Sequence, residues 1–161
     1  MEPLTSNGTP GGPLDLSASQ REVWLDQRAW PGSTHLYIGG VAYLEGQLDV
    51  DRLVKALGLL VAESDAMRLV PHEDGTQTLL NTCELPVEHC SPGADIDLHI
   101  AVDAWWSQKL QQPFAWDGKP PWRFGILRGG ADHHAVVMQY HHLVMDGWGT
   151  ARLIQRWSEL Y

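Results

Sequence analysis

Two adjacent histidines, His141 and His142, are followed by Asp146, four residues after the second, and then by Gly147. Imidazole is the side chain best suited to transfer a proton at neutral pH, so this group can perform acid–base chemistry. An apolar segment typical of a strand, 135–138, precedes the histidines, and a helical pattern follows them. Side chains at such junctions often project into clefts. The four residues are therefore the first candidates for a functional site.

Three interpretations of this group follow from the residue types. His142 can act as a general base on an incoming nucleophile, with Gly147 allowing a substrate to approach the backbone. A metal site built from His141, His142 and Asp146 is a second interpretation, although adjacent residues of a strand point to opposite faces, which counts against it. Histidines that only cap the strand are the third. The residues by themselves leave all three open.

The other histidines and the two cysteines lack such a pattern. His133 and His134 adjoin a glycine-rich turn and have no carboxylate four residues later, so we expect solvated hairpin surface there. Cys83 and Cys90 are expected to be free thiols. A zinc site formed by these two cysteines with His89 lacks a second pair of ligands at the usual spacing. None of these residues by itself therefore indicates a second functional site.

The composition excludes several classes of function. The chain has 161 residues, 43% hydrophobic and 19% charged, which is typical of one globular domain. Its net charge of −9 argues against nucleic acid or an anionic membrane as a partner. No apolar run is long enough to span a membrane, and residues 1–13 have no secretory signal pattern. A cytoplasmic location is expected.

The elements that must position the histidines mix helices and strands without strict alternation. This favours an α+β fold, a two-layer sandwich of helices on a mostly antiparallel sheet. Residues 1–13 are expected to be a flexible leader, and Ser17 with Gln20 forms a capping box. The segment 36–44 has usable apolar residues on both faces, which suggests a central strand. The patterns predict helices over 17–28, 50–61, 96–111 (capped by Asp95) and 150–161, and strands over 36–44, 67–70, 76–80, 87–90, 122–127 and 134–139.

The pattern His-His-x-x-x-Asp-Gly at 141–147 resembles the active-site signature of nonribosomal peptide synthetase condensation domains, members of the chloramphenicol-acetyltransferase-like acyltransferases. Stretches 16–24, 63–68 and 112–123 resemble three further motifs of that family, in the family's order. The second motif usually begins Arg-His-Glu, and here only Arg68 remains of its basic positions. Residues 14–161 are thus expected to form the N-terminal lobe, with the second lobe of the family's domain absent.

The resemblance implies amide bond formation, with no bound metal or cofactor. An acyl or peptidyl thioester donor and an aminoacyl acceptor would each be presented on the phosphopantetheine arm of a carrier protein. His142 would act as general base or positioning group, and His141 would be structural. Asp146 would form a buried ion pair with an arginine, either Arg68 or one from the absent lobe. The backbone N–H of Gly147 would face the developing oxyanion.

The same resemblance sets the expected partners. These are donor and acceptor carrier proteins and the missing C-terminal lobe, whose absence would leave an apolar face able to form a two-fold dimer. The fragment alone is expected to be inactive. The alternative is a non-catalytic module that docks a carrier protein, and a small metal-dependent enzyme is a third hypothesis.

Overall fold

The computed structural model describes residues 12–93 and 96–161, which form four helices and seven strands. Most of the predicted leader, 1–13, lies outside the described residues. The helices are α1 (Ala18–Ala29), α2 (Val50–Glu63), α3 (Leu98–Leu110) and α4 (Gly147–Leu160). The strands are β1 (Leu14–Asp15), β2 (Tyr37–Glu45), β3 (Leu69–Pro71), β4 (Thr76–Leu79), β5 (Val87–Cys90), β6 (Trp122–Arg128) and β7 (His133–His141). A short 3-10 helix, Asp65–Arg68, links α2 to β3.

The described strands form two sheets. The larger has the order β2–β7–β6–β5, in which β7 pairs antiparallel with β2 and β6, and β5 pairs parallel with β6. The smaller has the order β1–β4–β3 and contains the hairpin that the sequence predicted around residues 73–75. The α+β class with a mostly antiparallel sheet is confirmed.

Strand β2 is not central, as the sequence suggested, but lies at one edge of the described sheet, and β7 is central instead. The apolar residues on both faces of β2 are explained by helices rather than by two neighbouring strands. On one face Gly39 adjoins Trp106 of α3, and on the other Gly40 adjoins Thr150 and Ile154 of α4. Apolar residues on both faces of a strand indicate that both faces are covered. Helices can cover the two faces of an edge strand as well as those of a central strand.

The core is organised by the alternation of β7, which sends successive side chains to opposite faces of the sheet. Helices α2 and α4 cover one face and α3 covers the other, so α3 adds a helical layer to the two layers that the sequence predicted. His134, predicted to be solvated, is 4% exposed, because every β7 residue after His133 is covered. The side chains that meet α2 and α4 include Val136, Met138 and Tyr140, and those that meet α3 include Ala135 and Val137.

Helix α3 begins later than expected. Asp97 is its N-cap and accepts hydrogen bonds from the N–H groups of His99 and Ile100, whereas the predicted cap, Asp95, lies outside the described residues. Glu88 of β5 anchors the helix, since its carboxylate accepts from the Trp105 indole at 3.0 Å and from Lys109. No helix in the described ranges is long and apolar enough to cross a membrane.

The two glycines of β2 provide a matched test of this packing. A Cβ at Gly39 would overlap the carbonyl oxygen of Met138 and lie 2.8 Å from the Trp106 ring, whereas one at Gly40 would make ordinary contacts at 3.6 Å or more. We expect Gly39→Ala to lower the free energy of unfolding by about 1–3 kcal/mol. Gly40→Ala should change it by about 0.5 kcal/mol at most. Urea unfolding of both variants measures this, and equal effects would contradict the packing described.

Candidate functional site at the end of strand β7

The backbone holds the two central histidines by bonds to segments distant in sequence. The N–H of His141 donates to the carbonyl of Pro121 at 2.9 Å, and the N–H of His142 donates to that of Leu36 at 2.8 Å. Strand-like anchoring therefore continues one residue beyond β7. A turn then leads into α4, and the alternation of the strand sends the two imidazoles in different directions.

The imidazole of His141 is buried and neutral. Its Nδ1 accepts the N–H of Leu143 at 3.1 Å, so Nε2 carries the proton and donates to Oε1 of Gln27 at 2.8 Å. The side chain is 1% exposed. The pKa of His141 is lowered to about 4, mainly by burial and to a smaller extent by the neighbouring His142 and His35. This histidine joins the sheet to α1.

His142 has the opposite arrangement. Its Nδ1 lies 3.0 Å from the carbonyl oxygen of Met145, and because a carbonyl only accepts, Nδ1 carries the proton. The other nitrogen, Nε2, has no hydrogen-bond partner among the described residues and keeps a free lone pair. The side chain is exposed and lines a groove of about 400 Å³. The rest of this groove, which we call the His142 groove, is mainly apolar and includes Val23, Ala66, Leu69 and Met145.

Asp146 is the N-cap of α4. Its Oδ1 accepts the N–H of Gly149 at 2.6 Å, and its backbone carbonyl accepts from Thr150. Asp146 is exposed in this structure and Arg68 is not its partner, so the predicted pair with Arg68 is wrong, whereas a pair with an arginine of the second lobe stays a prediction. Arg68 pairs with Asp65 at 2.5 Å and donates to the carbonyl of Leu80 at 2.6 Å. Free N–H groups at a helix start attract a carboxylate locally, which explains the difference.

The two glycines near this cap differ in what they permit. Gly147 is the first residue of α4 and has open space where a Cβ would stand. A Cβ at Gly149 would lie 2.6 Å from Sδ of Met145 and 3.1 Å from Oδ1 of Asp146. Met145 and Asp146 therefore approach the backbone too closely for a side chain at Gly149, but not at Gly147.

Two glutamines of α1 belong to the site and were missed as site residues from the sequence. Gln27 is 7% exposed and, besides accepting from His141, donates to the carbonyls of Trp30 and Ser33. Gln20 lines the His142 groove, whereas the sequence indicated its role in the capping box, which is confirmed, and its place in the motif-like stretch 16–24. The sequence feature that could have identified Gln27 is its position on the inward face of α1, where a glutamine needs hydrogen-bond partners.

The geometry does not support the metal interpretation of His141, His142 and Asp146. The two imidazoles line different cavities, and no group of three or more potential ligands among the described residues is placed to hold a metal ion. Cys83 and Cys90 are free thiols, and burial raises the pKa of both.

Comparison with known proteins places this geometry in a family. The family model described as "Condensation domain" matches residues 12–161. The chain is 31% identical over 158 residues to cyclosporin synthetase of Tolypocladium inflatum, covering 93% of the chain and 1% of that protein. It is 28% identical over 153 residues to tyrocidine synthase 3 of Brevibacillus parabrevis, covering 91% of the chain and 2% of that protein.

Solved structures agree. The starter condensation domain of the rhizomide synthetase RzmA superposes with a TM-score of 0.81 at 27% identity, over 92% of this chain and 38% of that one. The first condensation domain of the CDA synthetase shares the fold, with a TM-score of 0.83 at 22% identity, over 95% and 40%. The chain thus spans well under half of these structures. With the family model covering nearly all described residues, the chain belongs to the condensation domain family of nonribosomal peptide synthetases.

Proposed function

We propose that this chain supplies the base-bearing part of a condensation domain that forms an amide bond between a thioester donor and an amine acceptor. The observation that carries the proposal is the state of His142, whose Nδ1–H is bound to the Met145 carbonyl while Nε2 is unpaired in a side chain that lines a groove. An imidazole held this way is prepared to accept a proton from a nucleophile. Donor and acceptor arrive on the phosphopantetheine arms of two carrier proteins.

The reaction balances with this one base. The acceptor amine attacks the thioester carbonyl carbon, a C–N bond forms, and His142 Nε2 takes the proton that the amine loses. The tetrahedral intermediate collapses, the C–S bond breaks, and the leaving thiolate recovers a proton from the imidazolium. The products are an amide and a free phosphopantetheine thiol. Holding two tethered reactants in line contributes in addition to the base.

The remaining residues of the motif support His142. His141 fixes the end of β7 against α1 and stays neutral, so it does not compete for the proton. Asp146 caps α4 and shapes the turn that contains the Met145 carbonyl. Gly147 lies at the open first turn of α4, where an N–H without a helical acceptor suits a developing oxyanion. Arg68 has a structural role, bonding the 3-10 helix to the end of β4.

The partners of the complete domain follow from this proposal. Carrier proteins deliver both substrates, and the C-terminal lobe completes the groove in which they meet. Trp148, 75% exposed beside the groove, is available for contact with a second lobe. Dimerisation through an exposed face stays a prediction, as does the cytoplasmic location.

A carrier-docking module without catalysis is the alternative function. The first experiment below distinguishes it from a catalytic role of His142.

Removal of the base should abolish most of the activity. We expect His142→Ala to lower the rate of condensation by about a hundred- to ten-thousandfold in the complete synthetase, with both carrier-bound substrates supplied. The fold should be kept, because the side chain is exposed. His133→Ala, a change at another exposed histidine, is the matched control and should leave the rate unchanged. Full activity of His142→Ala would support the docking module.

Stability should depend on pH through His141. Its pKa falls from 6.5 to about 4 on folding, so between these values the unfolded chain binds the proton more readily than the folded one. The free energy of unfolding should therefore fall by about 2–3 kcal/mol as the pH drops through this window. His141→Gln, which does not titrate there, should show a smaller decrease. Equal slopes in urea unfolding across pH would refute this assignment.

The cap formed by Asp146 is testable by exchange of capping groups. Asp146→Ala should lower the free energy of unfolding by about 1 kcal/mol, the usual value of an N-cap. Asp146→Ser keeps an oxygen for the N–H of Gly149 and should recover most of that loss. A loss of about 3–5 kcal/mol in both variants would instead indicate a buried ion pair.

A further inference from the structure

The side-chain amide of Gln20 binds three residues, Ser17, Gln77 and Leu143. Its Nε2 donates to the carbonyl of Leu143 at 3.2 Å and to Oε1 of Gln77 at 2.9 Å. Its Oε1 accepts the N–H of Ser17 at 3.0 Å and Nε2 of Gln77 at 3.1 Å. All donors and the acceptor of this amide are therefore used. The contact with Leu143 bridges 123 positions and reaches the residue that directly follows His142.

Gln77 makes the amide of Gln20 rigid. The two glutamines exchange hydrogen bonds in both directions, forming a closed amide pair, and Gln77 also donates to the carbonyl of Asp15 at 3.3 Å. Gln77 is 6% exposed. An amide with fixed partners on both sides loses little further freedom when it also binds Leu143.

The Leu143 carbonyl lies within the turn that determines the state of His142. Leu143 is 2% exposed, so without Gln20 its carbonyl would be left unpaired in a buried place, and the peptide plane would have to rotate to find a partner. The same turn, two residues later, contains the Met145 carbonyl that holds Nδ1–H of His142. A rotation of the Leu143 carbonyl would therefore also move the Met145 carbonyl.

We propose that Gln20 is a positioning residue for His142: by holding the Leu143 carbonyl it keeps the Met145 carbonyl on Nδ1 and leaves Nε2 free for the substrate proton. This role rests on the proposed function of His142 as the base. It assigns the glutamine of the first motif a part in the chemistry beyond the capping of α1. Through the Gln20–Gln77 pair, the small sheet is hydrogen-bonded to the turn beside the His142 groove.

The imidazole tautomer of His142 reports this role directly, without an activity assay. Long-range ¹H–¹⁵N spectra of the 161-residue chain at mildly alkaline pH distinguish Nδ1–H from Nε2–H, and the loss of signals in His142→Ala identifies this residue. We expect the wild-type chain to hold mainly the Nδ1–H form. In Gln20→Met, the ratio of Nε2–H to Nδ1–H should rise by about fivefold, the effect of weakening one hydrogen bond.

Two further variants make the outcome decisive. Gln20→Glu keeps the capping box and so keeps the start of α1, but it lacks a donor for Leu143 and should shift the ratio in the same direction. Gln77→Met breaks the amide pair while leaving the Gln20 bond to Leu143, so its ratio should shift in the same direction but by less than in the Gln20 variants. An unchanged ratio in both Gln20 variants overturns the proposal. So does an equal shift in Gln77→Met.

The proposed function fails in a different way. If His142→Ala retained full condensation activity while the Gln20 variants shifted the tautomer, Gln20 would still determine the tautomer of His142, but the base would be elsewhere. If His142→Ala were inactive and the tautomer never moved, the base would stand and Gln20 would only cap α1. The two measurements therefore test the two proposals separately.

Discussion

The pairing of β7 on both of its edges is the constraint on which the site depends. Strand β2 on one side and β6 on the other fix the path of β7 along its whole length, and helices bury both of its faces. A strand fixed in this way leaves no freedom in where its last residues point. Because its side chains alternate, His141 is directed into the protein, while His142, one residue on, enters the turn and lines the groove.

The two histidines differ in which imidazole nitrogen carries the proton. His141 accepts at Nδ1 from a backbone N–H, while His142 donates from Nδ1 to a backbone carbonyl. One imidazole is thereby committed to structure, with both nitrogens bonded and the pKa lowered by burial. The other keeps one nitrogen without a partner among the described residues. A backbone N–H and a backbone carbonyl, rather than charged neighbours, determine which nitrogen carries the proton in each imidazole.

Local signals made much of this fold predictable. The capping box at Ser17, the hairpin of β3 and β4, and the strand-turn-helix around the motif depend on residues close in sequence, and they are present. What the sequence missed depends on distant contacts. The edge position of β2 was missed because helices α3 and α4 cover both of its faces, and Gln20 and Gln27 meet their partners across more than a hundred residues. No periodicity or cap pattern carries such information.

The N-cap formed by Asp146 uses only part of its carboxylate. Oδ1 is used by the N–H of Gly149, and no described residue bonds to Oδ2. A carboxylate has about four acceptor positions, so the cap leaves room for a guanidinium from outside this part of the chain. Such an arginine would meet a carboxylate already oriented by α4 and would lose less entropy than with a mobile partner. The observed cap is therefore compatible with the predicted ion pair to an arginine of the second lobe.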